Sequence, residues 1–168
     1  NCSVLWEFVP PFEDYLYAIS PAVRGDGRII FGCASPYSDV KGQVYIVNPD
    51  GSQWGVFELP EGFFPTDVAV DADDTMYFGN RHCCGTFLAF DSDGTPKWTL
   101  DTGGSEFDGA PAIGPTGTVY AGTWKFNGSP EEKVYAIADN GASGQVLWEF
   151  APPEDSGLSD AYGIMVNA

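Results

Sequence analysis

Apolar and polar positions alternate along this chain in short runs, and the runs come back in a fixed order. Four run types are distinguishable. The first is apolar and closes in a turn: AISPAVRGDG (18–27), DVAVDADD (67–74) and APAIGPTG (110–117). The second follows at once and ends on glycine: RIIFG (28–32), TMYFG (75–79) and TVYAG (118–122). The third is QVYIVN (43–48), TFLAFD (86–91) and KVYAIA (133–138). The fourth carries tryptophan: SQWGVFEL (52–59), TPKWTL (95–100) and QVLWEF (145–150). A period of two residues in runs this short predicts half-buried strands. No stretch of ten or more residues combines helical periodicity with caps.

The spacing turns the runs into a unit. Gly32 to Gly79 is 47 residues and Gly79 to Gly122 is 43, while Trp54 to Trp98 is 44 and Trp98 to Trp148 is 50. Four strands repeating every ~40–50 residues are the signature of a β-propeller blade. Asp26-Gly27, Asp73-Asp74 and Thr116-Gly117 stand between the first and second strands, and Asp50-Gly51, Asp93-Gly94 and Ser143-Gly144 between the third and fourth. Such pairs supply the positive φ that tight hairpins require. Gly32, Gly79 and Gly122 end the second strand and are read as points of close backbone approach. The tryptophans are read as packing anchors between sheets.

The predicted fold class is therefore all-β: consecutive four-stranded antiparallel blades of a β-propeller, about three of them, with single strands at each end. The predicted boundaries are a terminal fourth strand and linker at 1–12, blades at 13–59, 60–104 and 105–153, and the first strand of a further blade at 154–168. One detail sharpens this partition. Val4-Leu5-Trp6-Glu7-Phe8 repeats Val146-Leu147-Trp148-Glu149-Phe150 residue for residue, and each copy runs into a Pro-Pro linker. Closed propellers have about four to eight blades. Three alone leave two apolar sheet faces in water, so the chain is expected to be part of a longer propeller or one protomer of an assembly.

Composition supports strands joined by turns, with Gly 21, Pro 13 and aromatics at 15%. Charge changes the list of partners. Lys+Arg is 7 against Asp+Glu 24, a net of −17, which disfavours nucleic acid and anionic membranes. No apolar run approaches the ~20 residues of a membrane span. Cys2, Cys33, Cys83 and Cys84 are an even number, and sequons at Asn1 and Asn127 would accept glycans in a eukaryotic secretory route. Acidity, few lysines and paired cysteines lean toward an extracellular, cell-surface or periplasmic location.

AIADNGASGQVLW (136–148) is similar to the tryptophan-docking repeat of PQQ-like (quinoprotein-like) β-propellers, roughly Ala-x-Asp-x-x-Thr/Ser-Gly-x-x-x-Trp. Ser143, Gly144 and Trp148 match at the right spacing, Ala138 stands where Asp is usual, and Asp139 arrives one residue late. AFDSDGTPKW gives Ala89, Asp91, Gly94 and Trp98 with one residue fewer in the turn. In IVNPDGSQW, Asn48 replaces Asp and Trp54 comes one place early. The resemblance implies a propeller. In that family some members bind the quinone and oxidise alcohols or sugars, and others carry no cofactor and bind proteins.

Chemistry is sparse. Cys83-Cys84 resembles the neighbouring-cysteine disulfide beside the quinone in alcohol dehydrogenases of that superfamily, but calcium ligands and a catalytic Asp are not identifiable. By the repeat, Cys33, Cys83 and Cys84 fall on one rim of adjacent units, so a disulfide from Cys33 to Cys83 or Cys84 is a candidate if the Cα atoms come within ~7 Å. Zinc at His82 with these cysteines lacks CxxC spacing. His82 is the only histidine, and no G-x-S-x-G elbow exists. Asp71, Asp73, Asp91 and Asp93 form partial calcium-type loops without the distant Glu, and Asp-Gly is ordinary hairpin chemistry. The acidic pairs Glu13-Asp14, Glu106/Asp108, Glu131-Glu132 and Glu154-Asp155 are read as solvated, although paired carboxylates for glycoside hydrolysis stay open. The expected function is a non-enzymatic scaffold for protein contacts, by self-assembly or with flanking blades, and without a cofactor. The alternatives are a fragment of a PQQ-dependent oxidoreductase and a carbohydrate-binding module, with PQQ and calcium as the alternative cofactors.

Overall fold

A computed structural model describes residues 2–11, 17–34, 41–81, 85–124 and 132–152. Among them the chain is all-β, with three antiparallel sheets and no helix. The first sheet holds β1 (Tyr17–Ala18), β2 (Ala22–Val23), β3 (Ile29–Ala34), β4 (Gln43–Val47) and β5 (Gln53–Glu58). Both β1 and β2 pair with β3, so they are two pieces of one edge, followed by β4 and β5. The second sheet runs β6 (Ala69–Val70), β7 (Met76–Gly79), β8 (Thr86–Phe90), β9 (Pro96–Asp101) in spatial order. The third runs β10 (Glu106–Ile113), β11 (Val119–Trp124), β12 (Val134–Asp139), β13 (Gly144–Phe150).

Two irregularities recur at equivalent places. The first strand of each sheet slips register: Ala18 faces Cys33 and Ala22 faces Ile30, Pro65 faces Asn80 and Ala69 faces Tyr77, Asp108 faces Gly122 and Ala112 faces Tyr120. Pro21 and Pro111 sit at this break, where a residue without an N–H costs no ladder bond. Each fourth strand bulges by one residue, leaving Trp54, Lys97 and Leu147 unopposed. The bulge explains why the tryptophans fall out of step. Trp98 faces Ala89 and Trp148 faces Ala136, but at the matching place Ile46 faces Gly55, with Trp54 in the bulge itself.

The hairpin turns also repeat. Those at 24–28, 48–52, 71–75, 91–95 and 114–118 each close with the first residue's N–H bonded to the fifth residue's C=O, at 2.8 to 3.0 Å. The fourth residue of each has positive φ, a three-residue loop with a left-handed position.

The sheets stack front to back. Ile30, Val44 and Ile46 of the first pack against Met76, Phe78, Leu88 and Phe90 of the second. Tyr77, Phe87, Ala89 and Trp98 on the opposite side of the second pack against Val119, Ala121, Tyr135 and Ile137 of the third. Alternation along each strand sends neighbouring residues to opposite faces, so an apolar run such as Met76–Phe78 is buried on both sides. Gly32 and Gly79 are contact points: a Cβ on Gly32 would meet Ile19 and Pro65, and one on Gly79 would overlap Phe107.

Residues 4–8, expected as a strand, do not form one: no strand lies within 2–10. A strand exists through its ladder, and a fourth strand needs the third strand of its own sheet beside it. No such neighbour is present among the described residues. The further strand expected at 154–168 lies outside the described residues, as do Cys83, Cys84, His82, Asn1 and Asn127.

Candidate functional site

The most developed constellation of side chains joins the second and third sheets. Trp98 is 6% exposed and lies over the turn between β12 and β13. A Cβ on Gly144 would stand 2.6 Å from Trp98 Cζ3, so only glycine leaves room for the indole. Trp98 Nε1–H donates to Asp139 Oδ1 at 2.9 Å, Tyr77 O–H donates to Asp139 Oδ2 at 2.9 Å, and Lys97 Nζ donates to the same oxygen at 2.8 Å. The Gly141 N–H adds 2.7 Å to Oδ1. The bulge makes this possible, because it puts Lys97 and Trp98 side by side toward the next sheet. Burial works against the Asp139 carboxylate, but the bonds from Lys97, Gly141, Trp98 and Tyr77 outweigh it and hold its pKa below the ordinary value. Burial and the two flanking carboxylates, Asp71 and Asp139, push the Tyr77 hydroxyl far up. The bond to Asp139 raises Lys97.

The same docking recurs with different residues. Phe57 covers the turn of the second sheet: a Cβ on Gly94 would lie 2.5 Å from Phe57 Cδ1, and the Phe57 and Phe90 rings are 4.9 Å apart. Trp6 covers the turn of the first: a Cβ on Gly51 would lie 2.7 Å from Trp6 Cγ, and Trp6 Nε1–H donates to the Pro49 carbonyl at 2.9 Å. The carbonyl replaces a carboxylate because Asn48 stands at the aspartate position and bonds its own turn through Ser52. Beside Trp6, Phe8 packs on Phe31 at 5.7 Å and Tyr45 at 5.4 Å, closing the back of the first sheet with Cys33 and Val47.

Trp148 is built like Trp98 but has no seat among the described residues. Its ring is 5.8 Å from Tyr120, as Trp98 is 6.0 Å from Tyr77, and Tyr120 and Tyr77 hold equivalent registers. Yet Trp148 is 47% exposed, with Leu147 and Phe150 exposed beside it. Trp54 is 43% exposed for another reason: it stands in the bulge itself, at the edge of its sheet, and Arg28 lies 4.3 Å over its ring.

A buried cation ties the first sheet to the second. Arg24 donates from Nη2 to Asp74 Oδ2 at 2.9 Å and from Nη1 to the Ser92 carbonyl at 2.9 Å. Asp74 occupies the left-handed position with φ 63°, where the equivalent turns carry Gly27 at 83° and Gly117 at 80°. A non-glycine residue there costs ~1–2 kcal/mol. Here the carboxylate it brings meets Arg24 and the Gly25 N–H, and the bond from Arg24 leads in lowering the Asp74 pKa.

The calcium candidates fall in two turns. Asp71 Oδ1 accepts the N–H groups of Asp73 and Thr75, and Asp71 Oδ2 lies 2.9 Å from the Tyr77 hydroxyl, whose single proton it shares with Asp139. Asp93 accepts the Thr95 N–H, as Asp50 accepts that of Ser52. These carboxylates brace their own hairpins. Among the described residues no three His, Cys, Asp or Glu side chains gather as a metal would need. Cys33 is a free, buried thiol that burial pushes up to about 11. The neighbours expected to pair with it lie outside the described residues.

No protein-family model matches the chain, and no curated protein matches it.

Sequence reasoning missed two residues. Arg24 carries no signal of its own in the repeat, and only an aspartate in a glycine position, Asp74, hints at a partner for it. Asp139 was visible only as an aspartate one place late in the repeat.

Proposed function

We propose that this chain is a run of three consecutive propeller-type blades of the PQQ-like kind, acting as an exported, non-enzymatic scaffold for protein contacts. The observation that carries the reading is the repeated seat. An aromatic side chain covers the turn glycine of the following sheet at Gly51, Gly94 and Gly144, while Trp148, identically prepared, covers nothing among the described residues. Such a face is an adhesive end by the ordinary rules of exposed apolar patches. The acidic surface favours proteins over polyanions as occupants. Among the described residues no helix is long and apolar enough to cross a membrane. The export reading rests on composition alone.

Two measurements test this reading. Light scattering across concentration is expected to give species heavier than one chain, and a monodisperse monomer of 18.0 kDa at every concentration overturns the scaffold reading. Titration with quinone and calcium, followed by a dye-linked dehydrogenase assay, is expected to give neither binding nor turnover. Turnover would establish the oxidoreductase alternative instead.

A further inference from the structure

The geometry points to head-to-tail association of copies of this chain, in which Val146–Phe150 of one copy takes the seat that Val4–Phe8 occupies on the next. This rests on the stacked-repeat reading above and names its partner as a second copy.

The argument begins with which faces are covered. Each sheet offers its front to the back of the following one: Tyr77, Ala89 and Trp98 are the front of the second sheet, and Val119, Ala121, Tyr135 and Ile137 are the back of the third. The front of the third sheet is the register equivalent, Tyr120, Ala136 and Trp148, and Trp148 is exposed there. The back of the first sheet is Phe31, Cys33, Tyr45 and Val47, covered by Phe8. Among the described residues, a front that leaves Trp148, Leu147 and Phe150 exposed and a back covered only by a strandless segment belong to one molecule, and their sequences are complementary.

The occupant follows from identity of sequence. The back of the first sheet is closed by Val-Leu-Trp-Glu-Phe, and the free front ends in the same five residues. Trp6 fits over Gly51 with its N–H on the Pro49 carbonyl, and Phe8 fits between Phe31 and Tyr45. A seat that accepts those side chains accepts Trp148 and Phe150 chemically. The resident copy holds its place without a ladder, with Val4, Leu5 and Val9 exposed. The incoming copy is already a paired strand on β12 and brings Tyr120 with it. It therefore loses less conformational freedom on docking than a segment that has no ladder to hold it. Because the two surfaces differ, the contact is heterologous and repeats from copy to copy, giving a ladder of sizes or a ring instead of a single dimer.

Sedimentation velocity across concentration on the full chain, with peptide binding, tests this. Wild type is expected to form a concentration-dependent ladder. Trp148→Ala is expected to weaken association at least tenfold, and Trp6→Ala to strengthen it about tenfold by vacating the seat. A labelled peptide of residues 144–152 is expected to bind Trp6→Ala chain and to dissolve wild-type oligomers, as is a peptide of residues 2–11. Circular dichroism of each variant confirms that it is folded, and peptide competition on wild type needs no variant. If the 2–11 peptide binds and the 144–152 peptide does not, the head-to-tail contact is refuted while the stacked-repeat reading stands. If neither binds, the seat fails and both readings fall. Oligomers that survive Trp148→Ala unchanged refute the proposed contact alone.

Discussion

The two junctions between sheets bury similar apolar faces but are fastened by opposite charges. Between the second and third sheets a carboxylate, Asp139, is the hub, and a tryptophan, a lysine and a tyrosine reach across to it. Between the first and second a guanidinium, Arg24, is the hub, and Phe57 takes the aromatic position. The stacking is the constant and the polar fastening is local. A blank in the repeat, Gly55 where Trp98 stands, is filled by a neighbour two residues along, and an ion pair appears at the other end of the junction. The repeat therefore specifies a shape, and each junction solves its own hydrogen bonding.

Substitutions that separate the two junctions probe this difference. The largest effect is expected at Trp98. Trp98→Ala removes a buried indole and leaves the Asp139 carboxylate short of a donor, a loss of ~3–5 kcal/mol in urea denaturation. Phe57→Ala removes a partly buried ring and should cost about half as much, ~2 kcal/mol. A Phe57 effect equal to that of Trp98 would erase the distinction.

Next comes the cation. Arg24→Met leaves Asp74 in its left-handed position without its buried cation, and the expected loss is ~1–3 kcal/mol, less than for a fully buried pair because Asp74 is partly exposed and keeps the Gly25 N–H. Arg24→Met combined with Asp74→Gly should return to within ~1 kcal/mol of wild type, since the strained φ and the stranded charge disappear together. A double variant as unstable as the single would contradict this account of Asp74.

The pH dependence is smaller and has a definite sign. Asp139 and Asp74 have lowered pKa values in the folded protein. Their contribution is present above the unfolded value of about 4 and is lost as pH falls through the folded ones. Tyr77 and Lys97 have raised values, so theirs is present below pH ~10 and lost as pH rises further. Urea midpoints from pH 6 down to 2 are expected to fall less steeply in Asp139→Asn than in wild type. The smallest effect is at Trp54, which is exposed over Arg28: Trp54→Ala should change stability by no more than ~0.5 kcal/mol.

The all-β class, the order of strands and the turn positions were legible because alternation and glycine placement are local signals. Gly32 and Gly79 were legible as close approaches for the same reason. The fate of each tryptophan was half legible. Trp54 one place early is visible in sequence, but its exposure follows from a bulge opposite Ile46 and Val47, which belongs to the pairing. Val4–Phe8 carries the pattern of a strand and docks its aromatics as one would, yet forms none, because pattern cannot supply a ladder partner. The Asp71 and Asp93 turns read as ordinary hairpin turns that also resemble partial cation loops. Only the direction of their oxygens, inward to their own amides, distinguishes the roles. Arg24 was legible only indirectly, through Asp74 in a glycine position, because that partner lies 50 residues away in another sheet.

The central claim is that an aromatic of one sheet is seated on the turn glycine of the next. A double-mutant cycle on Gly144→Ala and Trp98→Leu measures it directly. Gly144 is outside the left-handed region, so the added methyl tests only the space occupied by the indole. The account predicts that Gly144→Ala costs ~1–3 kcal/mol with Trp98 present and almost nothing once Trp98→Leu has withdrawn the ring. Costs that add to within ~0.5 kcal/mol in the double variant would contradict it.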